Sequence, residues 1–587
     1  MARPKKPRHP LHVVRIAVQL AFFTLFLTLL VLTALGTPVA ARPWLAQLFL
    51  ITDPLVLVGM ALAGAFTAAL LAGLVVVALS LLAPRAYCGW ICPLGTTMDI
   101  VDKLLFRKRD RSANVGPRLR QVKYGLLVAL LVLAVFRLGV FGWFDPVCIA
   151  TRSYGVALYP IADHAVKAGL VAAEESGLRS AGRAYDWAAR ARLFIRDTDF
   201  KKGDTHVAYL WSFVFTALLV GIVLAQSYQK RFWCRNLCPL GALLGLLGSA
   251  SPLRPRVSQK CIACGACRKR CKTGAFQPKD NDKPYASVVQ ECVFCYACER
   301  DFCPVDAIHI GAGSPTPVRP EPQACPGRRA FLGAAATSAI LGPALLLDQR
   351  TRQKDETNPM LRPPGALQPD AEFQATCIRC GACMRACPTS ALHPSGVENG
   401  IGGLWTPTFV FNIGYCDYYC NVRKEDVESG RLDRPANLCG IVCPTGAIGK
   451  LTHPQKIARK IGTAVFDKSR CLPWARGEEC LTCEEQCPLG EKAISHETEE
   501  VANLDWLKMP QPKRNRYEEL DAKRRGGATL TADEKAELAA MPPKTRKLGL
   551  PYVLRDRCTG CGTCENVCPV DGAGGIRVER LQTRDVK

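Results

Sequence analysis

The stretch Cys261-Ile262-Ala263-Cys264-Gly265-Ala266-Cys267-Arg268-Lys269-Arg270-Cys271 is answered by Cys292-Val293-Phe294-Cys295-Tyr296-Ala297-Cys298-Glu299-Arg300-Asp301-Phe302-Cys303-Pro304. Three closely spaced cysteines and then a fourth, repeated once, is the spacing of a unit that holds two cubane iron-sulfur clusters. In such a unit the fourth cysteine of each motif ligates the cluster of the other. The crossing assigns Cys261, Cys264, Cys267 and Cys303 to one cluster, and Cys292, Cys295, Cys298 and Cys271 to its mate. Lys272 stands where proline usually follows the fourth cysteine. Disulfide cysteines need no fixed short spacing, because the partner comes from elsewhere in the chain. Zinc ribbons want two C-x-x-C pairs farther apart. Neither alternative matches the pattern.

Working outward toward the C-terminus, the device recurs twice. Cys377, Cys380, Cys383 and Cys387-Pro388 form a regular motif, and its partner is stretched, with Cys416 and Cys420 separated by eighteen residues from Cys439 and Cys443-Pro444. Crossed pairing predicts Cys377, Cys380, Cys383 with Cys443, and Cys416, Cys420, Cys439 with Cys387. The last pair joins a stretched motif, Cys471, Cys480, Cys483 and Cys487-Pro488, to a regular one, Cys558, Cys561, Cys564 and Cys568-Pro569. Crossing predicts Cys471, Cys480, Cys483 with Cys568, and Cys558, Cys561, Cys564 with Cys487. The expected load is therefore six 4Fe-4S clusters, about 24 irons. A charged insert at about 499–550 separates the last two motifs, and its Thr531-Ala532-Asp533-Glu534 run predicts a capping box opening a helix.

Toward the N-terminus the chain changes character. Apolar runs at 16–36, 55–83, 124–144 and 207–226 are each long enough to span a bilayer, and Arg137 is their only charged residue. The N-terminus and the loop after the second run are rich in lysine and arginine, which predicts that both face the cytoplasm. The net charge of +25 is read as this anchoring plus contact with anionic lipid, and no nucleic-acid partner is expected. A fifth apolar run, Ala334 to Leu347, follows Arg328-Arg329-Ala330-Phe331-Leu332. This looks like a twin-arginine signal inside the chain; the other reading is an ordinary short helix with basic flanks. Either way residues from about 351 onward are expected outside the cytoplasm.

Two near copies, Tyr87-Cys88-Gly89-Trp90-Ile91-Cys92-Pro93-Leu94-Gly95 and Trp233-Cys234-Arg235-Asn236-Leu237-Cys238-Pro239-Leu240-Gly241, lie after the second and fourth apolar runs. The thiols of Cys88, Cys92, Cys234 and Cys238 can meet around a seventh cluster; redox-active thiol pairs or structural cysteines are the alternatives. With these, 28 of the 30 cysteines are placed, and Cys148 and Cys325 have no role. The absence of C-x-x-C-H argues against a c-type haem. His9 and His12 are expected at the face opposite His206, so no bis-histidine haem is expected.

The fold class expected is an α-helical membrane domain of four helices plus a fifth signal-like helix, with α+β two-cluster ferredoxin domains. The domains are 1–250 (membrane), 251–320 (cytoplasmic ferredoxin), 326–350 (signal-like helix) and 351–587 (exported, four clusters). The four-helix part, with its two C-x-x-x-C-P-L-G copies, the Phe144-Asp145-Pro146 turn and the trailing ferredoxin, resembles NapH-type quinol dehydrogenase subunits of periplasmic nitrate reductase systems. The Arg-Arg-x-Phe-Leu run, Leu361-Arg362-Pro363-Pro364-Gly365-Ala366-Leu367 and Cys377-Ile378-Arg379-Cys380-Gly381 resemble the NapG-type partner. The resemblance implies a bacterial inner-membrane, multi-pass protein that oxidises quinol from the membrane pool. Electrons would pass through the clusters to a periplasmic or membrane redox partner such as a cytochrome or reductase.

Two other classes compete. Membrane proteins with paired C-x-x-x-C-P motifs also serve oxidase assembly, though that role needs no four exported clusters. A redox-driven ion pump usually buries carboxylates or histidines within its helices, and the four runs hold no Asp, Glu or His. For quinol, the segment from Arg137 to Arg152 offers Asp145 as proton acceptor and Arg152 as the group orienting it, with Arg137 beside them and His206 entering from the facing helix end. An interfacial anchor is the competing reading. That segment is expected at the outer face, about 30 Å across the hydrocarbon from the Cys88 and Cys234 motifs.

Overall fold

The computed structural model describes residues 9–35, 43–106, 117–175, 209–277, 286–312, 328–354, 360–398, 400–422, 426 and 428–580. The chain divides into two compact units, one of residues 1–408 with 418–456, the other of 409–417 with 457–587.

In the first unit the apolar sequence folds as helices, but not as four uninterrupted ones. Helix α1 (Pro10–Leu35) is the expected first span. The second run breaks. Helix α2 (Pro43–Ile51) meets α3 (Pro54–Leu62) at an 83° bend, where the Asp53 carboxylate caps α3 by accepting from the N–H groups of Leu55 and Val56. Gly64 then adopts φ +69°, which ends the helix, and the chain resumes as a 3-10 turn and α4 (Gly73–Leu82). The reason is local: a left-handed glycine cannot continue a right-handed helix.

The third run is helical as α5 (Pro117–Val135) and stops where Arg137 takes φ +60°. It is followed by a 3-10 turn at Val140–Trp143 and then by α6 (Pro146–Arg152), capped by Asp145. Among the described residues, the fourth run is helical over the 14 residues of α7 (Ser212–Ala225). The signal-like run forms α8 (Arg328–Lys354), which packs along α5, and a Cβ on its Gly342 would lie 2.6 Å from the Phe136 ring. Among the described residues, two helices are long and apolar enough to cross a membrane, Pro10–Ala34 and Arg329–Asp348, or three if the bent pair α2–α3 counts as one span.

The ferredoxin part of this unit is held by short antiparallel strands, Arg254–Val257 with Ile308–Gly311 and Phe276–Gln277 with Ala286–Ser287. In the second unit Thr463–Phe466 pairs with Ile576–Glu579, and the long hairpin Ile494–Ala502 with Thr545–Val553 carries the charged insert. The capping box at Thr531 and Glu534 is present, opening the helix Ala532–Ala540. Ferredoxin-type α+β domains are thus present beside a helical, apolar part.

Candidate metal centres

Each regular motif is a loop with a left-handed residue two and four positions after its first cysteine. These are Ala263 (φ +55°) and Gly265 (φ +70°), Phe294 (φ +50°) and Tyr296 (φ +57°), Arg379 (φ +56°) and Gly381 (φ +76°), and Gly560 (φ +72°) and Gly562 (φ +81°). Alternating hand turns successive N–H groups to the inside of the loop, the kind of concavity that receives negative charge. A short helix then carries the third cysteine, as in Ala266–Arg270 and Ala382–Ala386, and the fourth follows as its C-cap at Cys271 and Cys387.

Three cavities show which cysteines these loops bring together. One is lined by Cys261, Cys264, Cys267 and Cys303. A second is lined by Cys377, Cys380, Cys383 and Cys443. In the second unit a third is lined by Cys558, Cys561, Cys564 and Cys487. Each holds three cysteines of one motif and the fourth of its partner. Cys271 lies within electrostatic reach of Cys292 and Cys298, as does Cys387 of Cys439, and Cys568 of Cys471. Cys295 and Cys480 neighbour Cys298 and Cys483 in the same way, and Cys420 neighbours Cys439. Cys416 belongs to the second unit, where its N–H donates to the Cys561 carbonyl at 2.8 Å.

The donor sets suit a thiolate-ligated cluster. Backbone N–H groups donate to the sulfurs of Cys303 (from Ala307, 3.2 Å), Cys568 (from Gly575, 3.2 Å), Cys271 (from Ala275, 3.3 Å) and Cys558 (from Ala464, 3.4 Å), which favours the charged form. Burial opposes them. It pushes the thiols of Cys267 and Cys471 up to about 11 and those of Cys380 and Cys483 up to about 12, so bound iron would have to displace protons. A lysine the motifs do not announce, Lys456, is 1% exposed and donates to Cys420 Sγ at 3.2 Å.

The paired C-x-x-x-C-P motifs are built differently. Cys88 lies in the short helix Ala86–Trp90 and Cys92 caps the helix Pro93–Leu105; Cys234 lies in Phe232–Asn236 and Cys238 caps Pro239–Leu247. In both, proline occupies the first helical position, where its missing N–H costs nothing. All four cysteines are buried, and Cys88 and Cys234 are within electrostatic reach of each other and of both Cys92 and Cys238. Two buried arginines, each three residues before the first cysteine of its copy, cross between the copies. Arg85 donates to the Cys234 carbonyl at 2.6 Å, and Arg231 to that of Cys88 at 3.1 Å. Glu291 receives Arg85 at 2.5 Å and also Lys123, while Asp99 receives Arg15 (2.6 Å), Lys272 (2.9 Å) and Arg231 (3.0 Å).

Of the residues expected around quinol, Asp145 and Arg152 are both buried and within electrostatic reach of one another. Arg152 donates to the Arg379 carbonyl at 3.0 Å and lies over the rings of Trp405 and Phe215. Arg137 is half-exposed and pairs with Glu372 at 2.7 Å. His206 and Cys325 lie outside the described residues. Asp145 and the Cys88 motif are not a bilayer apart: Tyr87, next to Cys88, interacts with Asp145 and with Asp53. The bent chain at Thr52 and Asp53 lets α3 begin in the interior, which uninterrupted spans do not permit. His9 and His12 meet the ferredoxin, His9 pairing with Glu299 at 2.9 Å and His12 with the Cys295 carbonyl at 2.7 Å.

Two families described as 4Fe-4S binding domains match the chain, one at residues 65–112 and 207–258, the other at 373–393 and 551–572. The methylamine utilization ferredoxin-type protein MauM of Methylorubrum extorquens is 31% identical over 260 residues, 43% of this chain and 89% of its own length. The ferredoxin-type protein NapG of Escherichia coli is 30% identical over 249 residues, 42% of this chain and 82% of its own. NapG of Haemophilus influenzae is 27% identical over 256 residues, 43% of this chain and 72% of its own. No solved structure matches. The chain carries ferredoxin-type 4Fe-4S domains and, over the length it shares with these relatives, belongs to the NapG and MauM family of iron-sulfur electron-transfer proteins.

Proposed function

We propose that the chain is a multi-pass membrane protein that takes electrons from quinol and passes them to a redox partner outside the cytoplasm through six clusters in the crossed assignment. A seventh cluster is held by Cys88, Cys92, Cys234 and Cys238. The observation that carries this reading is the seat of the Asp145–Arg152 segment on the Cys377–Cys380 loop. Arg152 bonds the Arg379 carbonyl, and a Cβ on Gly142 would lie 2.0 Å from the Ile378 carbonyl, so only glycine allows the approach. Membrane residence is supported by apolar side chains left outward on helices of this unit, among them Val75 (70% exposed), Phe213 (67%) and Ile340 (76%).

A 4Fe-4S cluster supplies one-electron storage at a potential set by charge, hydrogen bonds to its sulfurs and exposure. The chain's own residues supply the rest. Asp145 takes the quinol proton, Arg152 orients it, and the Cys377 loop stands next to both. Arg85 and Arg231 place two positive charges at the paired motifs. Quinol-dependent cluster reduction, followed optically in detergent, tests the reading: Asp145→Asn and Arg152→Ala are expected to slow it at least tenfold with iron content intact. Unchanged rates in both would move quinol oxidation elsewhere.

A further inference from the structure

The residue facing Asp145 is a second aspartate. Asp53 and Asp145 are both 0% exposed, and each is followed by proline and caps a helix, α3 and α6. Their carboxyl groups lie within hydrogen-bonding reach of one another. Each spends one oxygen on backbone donors, Asp53 Oδ1 on Leu55 N–H at 2.7 Å and Asp145 Oδ2 on Cys148 N–H at 2.7 Å. The other oxygens, Asp53 Oδ2 and Asp145 Oδ1, are buried with no hydrogen-bond donor. A hydrogen bond between two carboxyl groups requires a proton, and two carboxylates in contact away from water cannot both stay charged.

The surroundings add a second observation. Tyr87, 1% exposed, interacts with both aspartates, and its hydroxyl has no hydrogen-bond partner. The other titratable groups facing the pair are Cys148 and Arg152. The charges of the adjoining helices are occupied, Asp99 with Arg15, Arg231 and Lys272, and Lys123 with Glu291. The pair thus shares neighbours with two cysteine groups: Tyr87 interacts with Cys88 and Cys92, and Cys148 with Cys380.

We propose that the Asp53–Asp145 pair holds one proton at rest and takes up a second when an electron reaches the neighbouring cysteine-bound cluster, making this a proton-coupled electron site. This rests on the reading that the cysteine groups hold clusters. The balance is one electron from quinol, or from dithionite in the test, to the cluster, and one proton to the pair. The pair passes from singly to doubly protonated, so no net charge is added. On reoxidation the proton leaves with the electron.

The test is a redox titration of the purified full-length protein in detergent, with cluster signals read by electron paramagnetic resonance between pH 6 and 9. In the wild type the potential of one cluster is expected to fall by up to about 59 mV per pH unit, the one-electron equivalent of a tenfold change. In the double variant Asp53→Asn with Asp145→Asn the slope is expected to vanish while iron content holds. A pH-independent wild type, or a slope that survives the double substitution, overturns the inference and leaves the cluster reading standing. Missing cluster signals overturn both. Should the double variant fail to fold, the reduced-minus-oxidised infrared spectrum of the wild type decides: a gain in the protonated-carboxyl band is expected, and no gain overturns the proposal.

Discussion

The Cys377 loop and the paired Cys88 and Cys234 motifs both gather four cysteines, by opposite means. In the loop the backbone does the gathering. Left-handed Arg379 and Gly381 curl the seven residues from Cys377 to Cys383 around one centre, and only Cys443 arrives from afar. In the paired motifs the backbone is plain helix and N-cap, the partners are 146 residues apart, and buried arginines tie the copies together. A site built by local curvature is set mostly by its own loop; one tied by arginines crossing to distant carbonyls depends on the interior that buries them.

The largest effect expected is on metal content. Replacing Cys380 by Ser should remove about four irons from a wild-type load of about 24, or about 28 if the paired motifs are filled. Replacing Cys88 and Cys234 together should remove a separate set of about four. Iron analysis on anaerobically purified protein checks both, and equal content in the second variant would reduce the paired motifs to structural thiols.

The next effect is on stability. Arg231→Met strips the Cys88 and Gly95 carbonyls of their donor and Asp99 of one of three cations. A loss of about 3 kcal/mol is expected, since removing one partner strands buried groups. Lys260→Met, at an exposed position beside Cys261, should change stability by less than about 0.5 kcal/mol. Denaturant unfolding of the two variants sharpens the contrast, and equal values would erase it.

Glycines separate the two designs further. Gly381→Ala adds a Cβ at φ +76° and 2.9 Å from Val156 Cγ2, and should cost about 1–3 kcal/mol through backbone strain. Gly241→Ala has no such strain, but its Cβ would lie 2.6 Å from Arg85 Nη2. Its damage should appear as loss of the crossed arginine bond, read as altered signals of the paired-motif centre with the Cys377 centre unchanged.

The smallest effect concerns pH. His393 accepts from the Leu210 N–H at 3.0 Å, and burial lowers it to about 4. The unfolded chain therefore binds a proton near 6.5 that the folded one refuses. Stability is full above that value and falls as pH drops toward 4, by on the order of 2 kcal/mol at pH 5. His393→Gln should flatten this part of the pH profile in denaturant titrations.

What the sequence determined by itself was chemistry that depends on near neighbours. Cysteine spacing names the loops, because two left-handed turns and a one-turn helix fit between fixed positions. The crossing of the fourth cysteine follows from the same repeat, and Thr531 with Glu534 announces a helix start. Apolar length marked where helices lie, but not that the second run would break at Gly64 or that α7 would be 14 residues long. Only tertiary structure decided which charges would be buried together. Nothing local distinguishes Arg85 and Arg231 from other basic residues beside apolar runs, or Asp53 from an ordinary turn aspartate before proline. Their partners lie 149, 143 and 92 residues away, at Cys234, Cys88 and Asp145. Electrostatic pairing in a dry interior depends on distance in space and on the water excluded around it, and neither is written in the spacing of residues along the chain.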